Sequence, residues 1–183
     1  MGLRSVLDLG CGPADLLIAL ARTDPGFRGF GVEAHRPMCA RARAAVREAG
    51  VAGRVRVILG DARRPARAVP APVAARVEAV VASQFVNEMF GAGPAAAVSW
   101  LRALRRLLPG RWLVVADYYG RLGSGQPADT MTLVHDHAQL LSGQGIPPAH
   151  RRDWAALYER AGSRLVHALE DGSSTRFIHL VAL

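Results

Sequence analysis

The chain contains no lysine, so all 23 of its basic residues are arginine, and against 15 acids they leave a formal charge of +8. A charge of that size raises the question of nucleic acid or an anionic surface as a partner. The arginines are scattered, however, pairing only at 63–64, 105–106 and 151–152, and alanine is abundant beside them. That combination reads as a GC-rich coding bias and sets a nucleic-acid role aside. Cysteine is nearly absent too: Cys11 and Cys39 give neither a disulfide framework nor a metal knuckle, which favours a reducing, cytoplasmic setting. No apolar run approaches the roughly 18–20 residues of a membrane span. The N-terminus, with an early arginine and an acid inside its apolar run, is a poor signal peptide. What the chain does have is bulk: 183 residues, half of them hydrophobic. That excludes a disordered chain and suits one domain with a real core.

The segment 6–15 reads Val-Leu-Asp-Leu-Gly-Cys-Gly-Pro-Ala-Asp and runs into Leu16, Leu17, Leu20 and Ala21 at helical spacing. This is a strand, a glycine turn and a helix. Gly10 and Gly12 let the backbone turn sharply and let a ligand approach the main chain and the helix N-terminus. A second strand over 29–33 ends in Glu33, where a nucleoside-binding fold places the acid that holds ribose hydroxyls. Pro37 opens a helix whose Met38, Ala42, Ala45, Val46 and Ala49 form one apolar face, closed by Gly50. Strands follow at 54–59, ending at Gly60-Asp61-Ala62, and at 77–82, running into Ser83-Gln84-Phe85. The Pro/Ala/Arg-rich stretch 63–76 between them reads as loop or ragged helix.

A helix over about 94–108 stops at Pro109-Gly110, and a fifth strand at 112–116 leads to Asp117-Tyr118-Tyr119. A short helix is expected near 130–142, then one capped by Asp153 with Trp154, Leu157, Tyr158 and Ala161 on its buried face. Strands at 164–169 and 176–182 are joined by Asp171-Gly172-Ser173-Ser174, a hairpin signal. The alternation predicts an α/β fold with a mostly parallel sheet and a terminal antiparallel hairpin, without a second domain. Asp8, Glu33, Asp61 and Asp117 all fall at the carboxyl ends of strands, where such sheets bind ligands.

Together, segment 6–14, Gly31-Val-Glu33, Gly60-Asp61-Ala62 and Leu107-Leu-Pro-Gly-Arg-Trp-Leu-Val-Val-Ala-Asp117 resemble the class I S-adenosylmethionine-dependent methyltransferases. The resemblance covers roughly residues 4–120 and implies a Rossmann-like, seven-stranded sheet. Residues 1–119 would be the cofactor-binding half and 120–183 the acceptor half. It implies Gly10 and Gly12 against the methionine part of S-adenosylmethionine and Asp8 near its amino group. Glu33 would hold the ribose, Asp61 the adenine amine, Ala62 the ring edge, and Ser83 and Gln84 would flank the sulfonium. A dinucleotide cofactor fits less well, because Asp15 stands where the third glycine of its fingerprint would be and would repel a pyrophosphate. Ala14 departs mildly from the family, where a glycine is common. The chain also opens directly on the first strand, without the helices that usually precede it and cover the cofactor. A truncated, inactive cofactor-binding fragment is therefore one of the readings.

In the C-terminal third, Thr132-Leu-Val-His135-Asp136-His137 with Gln139, Ser142-Gly-Gln-Gly-Ile-Pro-Pro148 and Arg176-Phe-Ile-His179 stand out. Histidine with carboxylate suits a first-row metal. These pieces are similar to the α-keto acid C-methyltransferases of peptide-antibiotic biosynthesis, the phenylpyruvate and 2-ketoarginine enzymes among them. That likeness implies a metal, iron or zinc, held by His135 and His179, with Asp136 as third ligand or supporting acid. As a Lewis acid it would stabilise the enolate of a 2-keto acid for methylation at C3. Tyr118 and Tyr119 are expected at the substrate. His135 and Asp136, adjacent on a helix, would point about 100° apart unless the helix begins there. His137 and His167 are alternative ligands, with His167 expected to pack in its strand. A metal-independent O- or N-methyltransferase using His135 or His137 as general base is the alternative. The expected partner is a small-molecule acceptor, with no nucleic acid or membrane; a homodimer is a further expectation.

Overall fold

The computed structural model describes residues 3–170, 172 and 175–183. Seven strands form one sheet in the order β3-β2-β1-β4-β5-β7-β6. These are β1 (Ser5–Leu9), β2 (Arg28–Glu33), β3 (Val55–Leu59), β4 (Ala79–Ser83), β5 (Trp112–Tyr118), β6 (Arg164–Glu170) and β7 (Arg176–Ala182). The first five run parallel, whereas β7 inserts antiparallel between β5 and β6. The sheet is the expected α/β arrangement with its terminal hairpin. Of the hairpin's connection, Asp171, Ser173 and Ser174 lie outside the described residues.

Successive side chains of β1 point to opposite faces, and each face has its own core. Val6 packs with Leu17, Ala42, Val46 and Val57 under α1 (Asp15–Thr23) and α2 (Arg36–Glu48). Leu7 and Leu9 pack with Leu101, Leu104, Leu113 and Trp154 under α5 (Pro94–Leu107) and α7 (Arg151–Arg160). Near the middle of the sheet β1, buried on both sides, has no room for a polar side chain except at its carboxyl end. That is where Asp8 sits.

Several local expectations change in detail. In α1 the buried residues are Leu17, Ile18 and Ala21, while Leu16 turns outward. In α2 Cys39 joins Ala42 and Val46 on the buried face. The stretch 63–76 forms two single turns, α3 (Pro65–Ala68) and α4 (Ala71–Ala74), each with a proline near its start. A 3₁₀ segment at Val86–Ala92, which the sequence pattern does not announce, follows β4. Helix α7 begins at Arg151 with His150 in the capping position, so Asp153 lies in the first turn rather than at the cap. There its charge still complements the helix dipole. Helix α6 (Thr130–Leu141) is capped by Asp129, whose carboxylate accepts from the Thr132 amide at 2.9 Å.

The segment 142–148 threads against the 3₁₀ segment at backbone distance. A Cβ on Gly145, at φ +77°, would meet the main chain of Phe90 and Gly91, and one on Gly91 would meet the Gly143 carbonyl. These glycines serve packing.

Candidate functional site

The turn after β1 holds Gly10 at φ 76° and Gly12 at φ 52°, and Ala14 at φ 68° adopts the left-handed conformation that glycine takes without strain. A Cβ at Gly10 would come 2.8 Å from the Phe85 ring. The turn is thus closed on one side by the chain that leaves β4. Glu33, at the end of β2, reaches across the turn: its carboxylate accepts from the Gly12 amide at 3.1 Å and the His35 amide at 2.7 Å. At the end of β3, Asp61 accepts from both the amide and the Nε of Arg63, at 3.0 and 2.9 Å. Gly10, Glu33, Asp61, Ala62, Gln84 and Glu88 line one cleft of about 280 Å³. Asp8 is buried beneath the turn, and desolvation pushes its carboxyl up to about 7.

A larger cavity of about 850 Å³ opens beside this cleft. Ser83 and Gln84 from the end of β4 meet Tyr118 from β5, His135 from α6 and Arg176 from β7 on its walls. A third, of about 510 Å³, shares Ser83, Gln84 and Arg176 and runs over Phe177, Ile178 and Leu169. Gln84 therefore stands on the wall of all three. It holds φ 50°, with its amide donating to the Ala116 carbonyl at 2.8 Å. A non-glycine residue in that conformation is kept there by its surroundings.

The residues expected to hold a metal do not converge. Helix α6 begins at Thr130, well before His135, so His135 and Asp136 diverge as adjacent helical residues do. Asp136 is fully buried, and its Oδ2 accepts from the amides of Arg121 and Leu122 at 2.7 and 2.8 Å. It ties the β5–α6 connection to the helix. His179 is also fully buried, stacked on Phe177 at 3.8 Å, with Tyr119 and Tyr158 hydroxyls each 3.1 Å from a ring nitrogen. The Tyr119 hydroxyl donates to Glu170 at 2.5 Å, so it accepts from His179 Nε2, and Nδ1 accepts from Tyr158. Burial lowers His179 to about 4, which keeps the ring neutral. Both nitrogens are committed, and no group of three His, Cys, Asp or Glu among the described residues is arranged to hold a metal ion. The donor set does not fit iron or zinc.

The other C-terminal expectations divide. Tyr118 and His135 reach the large cavity, their rings in contact at 4.4 Å between centroids and tilted by 36°. Tyr119 instead turns to Glu170 and His179. His137 is exposed, and its Nδ1 bonds the Leu133 carbonyl of its own helix at 2.7 Å. His167 is exposed on the outer strand rather than packed. Two lining residues were not anticipated. Phe85 closes the glycine turn, and Glu88 faces the cleft from the 3₁₀ segment, its carboxyl raised by burial. The polar-apolar run Ser83-Gln-Phe-Val-Asn-Glu88 is the only signal that pointed to them.

Residues 6–109 match the family model of a methyltransferase domain. No curated protein matches the sequence. Among solved structures, the mitomycin 7-O-methyltransferase MmcR is similar with a TM-score of 0.81 at 22% identity, over 99% of this chain and 49% of that one. The O-methyltransferase NcsB1 from neocarzinostatin biosynthesis, in complex with S-adenosylmethionine and 2-hydroxy-5-methyl naphthoic acid, gives 0.75 at 21%, over 99% and 49%. The N,N-8-amino-8-demethyl-D-riboflavin dimethyltransferase RosA from Streptomyces davawensis gives 0.73 at 21%, over 98% and 49%. At these identities the likeness is one of fold. The chain spans about half the length of these structures.

Proposed function

The chain belongs to the methyltransferase domain family, and from that premise we propose that it transfers a methyl group from S-adenosylmethionine to a small molecule. The observation that carries this reading is Gln84. One residue, in a constrained backbone conformation, walls both the glycine-turn cleft and the large cavity beside it. A reacting methyl has to sit at such a junction.

In this reading the cofactor lies along the turn, with Gly10 and Gly12 against its methionine part. Asp8 lies near the ammonium, Glu33 at the ribose, and Asp61 and Ala62 at the adenine. Ser83 and Gln84 flank the sulfonium. The acceptor occupies the larger cavity against Tyr118. Its nucleophilic atom attacks the methyl carbon in line, the carbon–sulfur bond breaks with its electron pair going to sulfur, and S-adenosylhomocysteine leaves. The acceptor's proton passes to His135. Holding the two partners in line supplies much of the rate, since orientation replaces a bimolecular encounter. A base at His135 adds a further factor of about 100 or more. Hydroxyl and amine acceptors need nothing beyond these groups, which makes O- or N-methylation the reading the geometry supports best.

A second reading is C3 methylation of a 2-keto acid, with the cavities that Arg176 lines beside Ser83 and Gln84 as its acceptor site. His135 would then take the C3 proton and the enolate carbon would attack the methyl. The test uses labelled S-adenosylmethionine with a panel of phenols, aryl amines and 2-keto acids, phenylpyruvate included. Label transfer to one class, reduced about 100-fold in His135→Gln with cofactor affinity kept, is the expected result. A protein that binds the cofactor and labels no member of the panel would count against transfer.

A further inference from the structure

A groove of about 410 Å³, separate from the cavities described so far, lies between the single turn α3 and helix α5. Its floor is apolar and buried, formed by Pro65, Met89 and Trp100. Its rim carries three exposed arginines, Arg63, Arg64 and Arg67, and no acid lines it. Arg63 is committed to Asp61, reaching both carboxylate oxygens at 2.9 and 3.4 Å. The Arg64 and Arg67 side chains have no hydrogen bond or ion pair among the described residues. Three like charges within positions 63–67 repel one another. An anion placed among them relieves that repulsion, and an apolar body attached to it covers the floor.

Only one layer of residues divides this groove from the glycine-turn cleft. Arg63 lines both. Trp100 donates its indole N–H to the Ala62 carbonyl at 2.9 Å, and its ring meets Phe85 at 5.6 Å between centroids. Ala62 and Phe85 are themselves walls of the cleft. We propose that the groove binds a small organic anion, a carboxylate or phosphate on an apolar body, and that its occupancy tightens cofactor binding in the cleft through Arg63. The coupling half of this inference rests on the reading of the cleft given above. Arg64 and Arg67 grip the anionic head, since the forked guanidinium matches carboxylate and phosphate oxygens alike. The apolar body lies over Trp100 and Met89. As the head draws Arg63 into the groove, Asp61 loses its ion pair and can accept from a donor in the cleft, such as the adenine amine. Such coupling is reciprocal, so cofactor in the cleft strengthens anion binding by the same factor. The occupant is a small molecule because the groove falls in the roughly 300–1,000 Å³ range of small-ligand sites. Three arginines around one groove also lack the extended stripe that a nucleic acid requires.

Calorimetric titration of the intact chain with phenyl phosphate, benzoate and inorganic phosphate tests this, beside the double variant Arg64→Gln/Arg67→Gln. Phenyl phosphate or benzoate is expected to bind at one site per chain, at least tenfold more weakly in the double variant, and the tighter of the two identifies the head group. S-adenosylmethionine affinity is then measured with and without the saturating probe. It should tighten at least threefold with the probe in the intact chain and stay the same in the double variant. Without probe, the double variant should bind the cofactor within threefold of the parent. Should the double variant fail to fold, Arg67→Gln alone is expected to weaken the probe at least threefold. The inference is overturned if neither probe binds at millimolar concentration, if binding survives the substitutions undiminished, or if inorganic phosphate binds as tightly as phenyl phosphate. Cofactor affinity indifferent to a bound probe would overturn the coupling. Probe binding that depends on Arg64 and Arg67 in a chain that binds no cofactor would leave the groove standing and count against methyl transfer.

Discussion

Asp8 and Asp117 sit near the ends of β1 and β5 with 4% and 1% of their surface exposed, and burial pushes each carboxyl up to about 7. Asp117 keeps partial compensation from the amides of Asn87 and Tyr118, at 3.1 and 3.0 Å. The consequence for stability has a definite sign. Between the ordinary carboxylate pKa near 4 and the raised value near 7, the folded chain holds protons that the unfolded chain has released. Stability therefore falls as pH rises through that window and levels off above it, by on the order of 4 kcal/mol for each acid. Thermal unfolding midpoints measured from pH 4.5 to 8 should decline toward neutrality, and Asp117→Asn should flatten part of the slope. Midpoints that rise steadily over the same range would refute the assignment. Residues of this kind were readable in advance, because an acid at the end of an apolar strand stands out against its neighbours. Phe85 and Glu88 were not, since their importance depends on a 3₁₀ segment folding back over the glycine turn.

The elements that position the site are the glycine turn, the end of β4 and the connection between α6 and α7. The segment 142–148 was read from the sequence as part of the acceptor region, and the fold gives it a packing task as well. Gly145→Ala should destabilise the chain by about 2–4 kcal/mol, combining a left-handed φ with a methyl driven into the Phe90–Gly91 backbone. Denaturant unfolding measures this; a change below about 0.5 kcal/mol would show that the segment yields. Strand β7 teaches the same lesson. Its antiparallel place beside β5 was legible, but the direction of His179 was not, since alternation gives a face and not the partners waiting there. Two tyrosine hydroxyls and stacking on Phe177 make His179 a core residue. His179→Ala should cost about 2–4 kcal/mol by leaving a cavity and two hydroxyls without their partner. Exhaustive chelation of the intact protein should leave both its unfolding midpoint and its cofactor affinity unchanged. A fall in either on chelation would restore the metal reading.

At the scale of the whole molecule, the succession of strands and helices along the chain, the mostly parallel sheet and the terminal hairpin follow from hydrophobic pattern and turn residues, because each strand of the buried sheet announces itself. The cleft at the glycine turn was legible for the same reason: its acids and glycines lie at strand ends, in chain order, within residues 6–62. The large cavity was less so. There the site is assembled from α6, β5 and β7, and which of several histidines faces the cavity depends on helix phase and on partners far apart in sequence. His135 and His137 differ by two positions and end on different sides of α6. The same helix exposes Met131, on the wall of the large cavity, and Leu141, at 74% and 90%.

Every step proposed above requires S-adenosylmethionine to bind along the glycine turn. Calorimetric titration of the intact chain with the cofactor tests it directly. Saturable binding at one site per chain is expected, weakened at least tenfold in Glu33→Ala, which lacks the carboxylate that would bridge the turn and the ribose. A folded chain that gives no binding, or a Glu33→Ala variant that binds as tightly as the parent, would contradict it.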